Sequence, residues 1–294
     1  MTAATASTEI GLRSSKVARR RKFRNSIATA MMWTAFAVAA LPLAAIFFYV
    51  ARAGAKVLTW QFLTRDIPFV SASNGPGMGP AVLGTLLITG AATAMSVPLG
   101  VLGAIYLNEY GKNRPMARVI RTMADLMTGV PSIVMGLFIY TIWVLRFGFS
   151  GLAGALALGC LMLPIVVRTS EEMLRLVPSG LREGSAALGS PTWKTTVRVV
   201  LPAALPGIVS GAMLALARAA GETAPLLFTI GVVNKPNSSL SGANTALSAQ
   251  IFRNAQLPFQ GAQNRAWGAA LTLIVLVFVL TVLARIITAR FVRE

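Results

Sequence analysis

The sequence predicts an all-α, polytopic integral membrane protein of six transmembrane helices, and three observations carry that expectation. Its 294 residues are 55% hydrophobic and only 12% charged, with a mean hydropathy of +0.68, beyond what a water-soluble domain of this length shows. Apolar runs of about 20 residues recur, the length that crosses a ~30 Å hydrocarbon core at ~1.5 Å per helical residue. Finally, basic residues alternate between dense and sparse in the segments that join these runs.

A basic tail, Met1–Ser26, comes first, and a single transmembrane domain is expected over 27–294. The cluster Arg19-Arg20-Arg21-Lys22 is read as a topology anchor, with partner binding as the alternative. The first span, Ile27–Val50, is too long an apolar run for a cleavable signal, and no small-residue cleavage pattern follows it. The second span is expected at Pro80–Leu107, the third at Thr122–Leu145 and the fourth at Gly151–Val167. Pro98 and Pro164 are read as packing kinks. The fifth, Ala203–Val233, would extend ~46 Å if straight, so it is expected to break within Gly221-Glu222-Thr223-Ala224-Pro225. Trp267–Thr288 closes the set.

Orientation follows from the basic residues. Nineteen Lys and Arg fall in the tail, in Asn108–Arg121, in Arg168–Pro202 and at the carboxyl end, against seven on the other side. Both termini are therefore expected in the cytoplasm, with Asn234–Ala266 outside. That outer segment is either a docking surface for a substrate-delivering protein or a solvated connector.

Composition also excludes. No histidine exists, which removes imidazole from metal, proton-relay and triad chemistry. The single Cys160 lies in an apolar run and reads as a small buried hydrophobe. A formal charge of +18 would suit nucleic acid, but its placement between apolar spans points to anionic lipid head groups instead. No Gly-x-x-x-x-Gly-Lys-Ser/Thr loop is present, so a pump built on this chain needs its energy from another subunit. Neither an enzyme nor a resident cofactor is expected.

The segment Arg168–Pro202 is too long for a tight turn, and two short surface helices are expected in it, Ser170–Leu176 and Leu181–Ala187. Within it stand Glu183, Gly184, Ser185 and Gly189, then Val199 and Leu201-Pro202. This pattern resembles the cytoplasmic signature loop of ABC importer permeases, with Gly184 and Ser185 in place of two alanines and Val199 in place of isoleucine. Gly129–Phe138, Glu171–Pro178 and Arg218–Thr223 are similar to segments of the phosphate-uptake ABC permeases, and Ala104–Tyr110 with Glu222–Thr229 to the PstA type among them. The resemblance runs from about Gly79 to Ala270. It implies a type I importer permease fold in a bacterial inner membrane, with inorganic phosphate as the solute. It also implies a PstC-type homologous permease, two ATPase subunits that bind ATP and Mg, and an extracytoplasmic phosphate-binding protein. Glu183, Gly184, Ser185, Gly189, Leu201 and Pro202 would then form the coupling segment that meets the ATPase.

Three further residues are candidates for the solute path. Arg218 and Glu222 stand at i,i+4 inside an apolar span, where charge is expensive and faces a partner or a pathway. Two readings stand for Arg218: a guanidinium that meets a passing anion, or a self-satisfied pair that sets helix packing. At Gly129-Val130-Pro131-Ser132 the simpler expectation is a kink with Ser132 bonded to its own backbone; the alternative is an interrupted helix that turns amides towards an anion. Asp125 is expected to favour a helix start or to pair with Arg118 or Arg121. Rival functions are the same architecture moving sulfate, molybdate or tungstate, an ion-coupled secondary transporter using Glu222, and a non-transporting scaffold.

Overall fold

The computed structural model describes residues 16–291 apart from 71, 73–74, 76 and 112–113, so the first part of the basic tail lies outside the described residues. Among these, every regular element is helical. The chain divides into two compact units, Met1–Ala51 and Arg52–Glu294. The first is one helix, α1 (Lys16–Ala55), which ends just inside the second unit and carries Pro42 without interruption. Met31, Trp33, Phe36, Leu41 and Phe48 are all exposed on it. A helix apolar on every side is a membrane span rather than a surface element.

The second unit opens with a short helix, α2 (Trp60–Thr64), whose start is capped by the Thr59 hydroxyl accepting from the Phe62 amide. A long helix, α3 (Gly79–Ile105), then ends in a π-helical turn at Tyr106–Tyr110. Next come α4 (Pro115–Gly129) and α5 (Ser132–Ile139), the latter continued through a π turn into α6 (Leu145–Phe147). Helix α7 (Gly151–Leu176) is the centre of the unit. Its start is set by Ser150, whose hydroxyl accepts from the Ala153 amide. Small residues, Ala153, Ala155 and Ala157, are fully buried along it with Leu158, Met162 and Val166. Ala155, Leu158, Met162 and Val166 form one core with Ile88 of α3, while Ala153 and Ala157 pack with Ile139 and Val144; in lipid such close packing replaces the hydrophobic effect as the force between helices.

Beyond α7 lie α8 (Ser179–Ala187) and α9 (Thr192–Thr195), then a π turn that leads into α10 (Leu201–Gly221). The chain then forms α11 (Ala224–Thr229), α12 (Leu247–Ala255) and α13 (Gln260–Phe291). Leu216 of α10 and Leu226 and Ile230 at α11 complete the core around α7.

Among the described residues, five helices are long and apolar enough to cross a membrane, and a sixth span exists only if α4 and the α5–α6 stretch count as one, bent by 104°. This corrects the third span: Thr122–Leu145 is not one helix. Pro131 has no amide and keeps Val130 in extended geometry (φ −69°, ψ 127°), so the helix stops at Gly129 and restarts at Ser132. The break expected in the fifth span is present, with Glu222 extended (φ −68°, ψ 131°) after α10 ends at Gly221. Helices α3 and α7 continue through Pro98 and Pro164.

Two other expectations are corrected. Ser170–Leu176 is not a separate surface helix but the last turns of α7, held in register by ion pairs. Nor is Asn234–Ala266 a solvated connector, because it contains α12 and buries Asn244, Thr245, Ser248, Gln250 and Asn254.

Candidate functional site

The two helix breaks meet. Gly136 of α5 lies so close to α11 that a Cβ there would come 2.6 Å from the Pro225 Cα, so only glycine permits this approach. The contact sets the start of α5 beside the end of α10. A cleft of about 190 Å³ opens between them, lined by Thr128, Val130, Pro131, Ser132, Arg218 and Glu222 among others. All three residues expected to face a solute path, Ser132, Arg218 and Glu222, thus line one cavity.

Its electrostatics are uneven. Arg218 Nε stands 3.7 Å from Glu222 Oε1, near enough to attract but too far for a hydrogen bond, and the Arg218 side chain is 66% exposed against 20% for Glu222. The guanidinium therefore keeps its donors directed at open space. Glu222 is the more fixed partner, since its backbone carbonyl accepts from the Ser248 hydroxyl of α12 at 2.9 Å. Across the cleft, Ser132 makes no capping bond at the start of α5; the Val134 and Met135 amides donate to the Pro131 carbonyl, which leaves those of Ser132 and Ile133 without an acceptor. The kink with Ser132 bonded to its own backbone is accordingly replaced by an interrupted helix.

A second cluster escaped the sequence reading. Glu171, only 1% exposed, accepts from Arg121 Nε at 2.7 Å and Arg175 Nη2 at 2.6 Å, with Arg168 Nη1 3.9 Å away. Arg168 also pairs with Asp125, so the expected Asp125 partner, Arg118 or Arg121, is corrected to Arg168. Nearby, Glu109 accepts from Arg182 at 2.9 Å and from Asn108 at 2.7 Å. The signal available in sequence was Glu171 three and four residues from Arg168 and Arg175 beside an apolar run.

Arg182 also connects this cluster to the expected coupling segment. From α8 it donates to the carbonyls of Leu174 and Val177 at 2.8 and 2.7 Å. One turn on, the Ser185 hydroxyl meets that of Thr195 at 2.8 Å. These contacts hold one face of α8, while Leu181, Glu183 and Gly184 remain exposed, with Leu188 89% exposed just beyond the helix. Gly189 follows at φ +76°, and a Cβ there would meet nothing within 4 Å, so its need for glycine is conformational. Leu201 donates to the Thr196 carbonyl in the π turn, and Pro202 sits in the first turn of α10.

A helical membrane unit in which broken spans border a polar cleft, with a pinned and exposed short helix at the α7–α10 connection, defines a transport subunit. The chain belongs to the family described as binding-protein-dependent transport system inner membrane component, which residues 96–293 match. Over 280 residues it is 44% identical to the phosphate transport system permease protein PstA 1 of Mycobacterium tuberculosis (strain ATCC 25618 / H37Rv), covering 93% of this chain and 89% of that protein. The phosphate transport system permease protein PstA of Yersinia pestis is 39% identical over 271 residues, 92% of each chain. Among solved structures, a chain of a bacterial alginate ABC transporter shares the fold with a TM-score of 0.64 at 16% identity, over 94% of this chain and 98% of that one. The inward-facing MetNI methionine ABC transporter gives 0.54 at 22% identity, over 72% and 93%.

Proposed function

We propose that this chain is the permease subunit of an ATP-binding-cassette importer that carries inorganic phosphate inwards. The observation that supports it is the cleft where Arg218 and the start of α5 converge, read beside relatives named for phosphate transport. A guanidinium with open terminal nitrogens offers a planar fork to two phosphate oxygens. The Ser132 hydroxyl and backbone amide add donors from the opposite wall, where the helix dipole also favours an anion. Glu222 moderates the attraction, as a path requires binding strong enough to admit an anion and weak enough to release it.

Energy enters at the other end of α7. Glu183, Gly184, Ser185, Gly189, Leu201 and Pro202 form the coupling segment, with exposed Leu181 and Leu188 as its apolar contacts for an ATPase. Two ATPase subunits hold the ATP and Mg, so this chain carries no cofactor. A PstC-type homologous permease closes the pathway, and an extracytoplasmic phosphate-binding protein delivers the solute. Both termini lie in the cytoplasm, which follows from the distribution of basic residues.

Uptake of labelled phosphate by the complex reconstituted with these partners tests the reading. ATP-dependent uptake that resists excess sulfate and molybdate is expected. Uptake abolished by either competitor, or proceeding without ATP, would reassign the solute or the energy source.

A further inference from the structure

A second basic cavity lies at the opposite end of α7 from the coupling segment. It measures about 510 Å³ and shares no lining residue with the Arg218 cleft. Helix α12 presents Gln250, Arg253 and Asn254 to it, an i, i+3, i+4 set on one helix face. Arg265 of α13 enters from another side, with Asn234 and Gln256 near by.

This wall is built rather than solvated. Gln250 is 4% and Asn254 6% exposed. Asn254 Nδ2 donates to the Gln250 carbonyl at 2.9 Å and to its Oε1 at 3.0 Å, while Gln250 Nε2 donates to Thr245 Oγ1 at 2.9 Å. These bonds use both amide donors of Asn254 and one of the two of Gln250, and they fix the helix face that carries Arg253. Arg265 is 2% exposed and donates towards the Gly75 carbonyl at 3.5 Å.

Among the described residues, two guanidinium groups line the cavity and no carboxylate does; Asp66, next to Ile67 of the wall, is exposed and outside the lining. Among the described residues, no carboxylate or carbonyl binds Arg253, and burial pushes its pKa below the usual arginine value. Desolvating a cation without a partner is unfavourable, and a bound anion removes that cost.

We propose that the cavity between Arg253 and Arg265 is a second oxyanion site, separate from the Arg218 cleft, which receives a small inorganic oxyanion at the mouth of the transport path. The proposal rests on the reading above only for its probe, inorganic phosphate. The open fork of Arg253 suits two oxygens of a tetrahedral anion, Arg265 adds positive charge from another wall, and the surrounding carboxamides tolerate the anion without opposing charge.

The experiment uses the full-length chain with its partner subunits in lipid nanodiscs, carrying Cys160→Ala and Gln256→Cys. Gln256 is exposed, so the reporter thiol leaves the packing intact. Electrostatic focusing should make a sulfonate methanethiosulfonate react roughly tenfold faster than its trimethylammonium analogue. Phosphate at constant ionic strength should slow the sulfonate reagent saturably. Adding Arg253→Gln should remove both the preference and the protection, whereas Arg218→Gln should leave them. Equal rates for the two reagents, protection by chloride as effective as that by phosphate, or protection that survives Arg253→Gln would overturn the site. Loss of protection in Arg218→Gln would overturn its separateness. Absent protection in a complex that still imports phosphate sinks this proposal alone. Intact protection in a complex that imports another solute sinks the reading of function and leaves the site.

Discussion

Arg218 stands 3.7 Å from Glu222 and is two-thirds exposed, and that geometry separates the two roles open to it. A pair this long makes no hydrogen bond, so it is a weak device for setting helix packing. Arg218→Lys keeps the charge but loses the fork, and uptake should fall by about tenfold while assembly survives. Arg218→Gln should abolish uptake, and adding Glu222→Gln should not restore it. Near-normal transport by that double mutant, at matched membrane abundance, would return Arg218 to a packing role. The i,i+4 spacing made this pair legible in sequence. Its meeting with Ser132 was not, because that depends on the close approach of Gly136 to Pro225. Arg253 and Arg265 gave no local signal either; they lie on different helices and share only a cavity.

Elements show why one proline breaks a helix and another does not. Around Pro98 the turns of α3 are locked onto α7: the Ser96 hydroxyl contacts Met162 Sδ at 3.8 Å, and Gly100 abuts Val166. Packing there holds the helix through the missing bond. Gly129, before Pro131, has nothing against it, so the backbone takes the extended geometry proline favours. Helix α8 depends on backbone freedom in another way. Gly189 occupies φ +76°, where a side chain costs about 1–2 kcal/mol even in open space. Coupling should therefore decline in the order Gly189→Asn, Gly189→Ala, Gly189→Val, with insertion of the chain unchanged. The measurement is ATPase co-purification and substrate-stimulated hydrolysis. Wild-type values for Gly189→Val would remove this turn from the coupling path.

At the scale of the whole molecule, the second unit has two chemically distinct ends. Beside α8, carboxylates and arginines are interleaved around Glu171 and Glu109. Around α12, carboxamides and guanidinium groups prevail. Matched charge suits an end whose parts must move together, since a buried carboxylate such as Glu171 is costly to strip of its partners. The proposed topology, drawn from the basic-residue count, puts the α8 end on the cytoplasmic side. In a Cys160→Ala background, Ser238→Cys should react with an impermeant maleimide in intact cells, and Thr288→Cys only after permeabilisation. The reverse pattern would invert the topology.

The coupling segment was marked only by its resemblance to a known loop, whereas composition and apolar run length determined by themselves that this chain is a helical membrane protein and roughly where its spans fall. Those properties are local, because each depends on about 20 consecutive residues and their apolar content. Tertiary structure alone decided that the third span is two helices bent by 104°, that Ser170–Leu176 extends α7, and that a nominal outer loop folds into a buried polar helix. Each of these outcomes turns on whether a neighbouring helix packs against the segment. Packing between helices is set by residues far apart in the chain, and no local pattern encodes it.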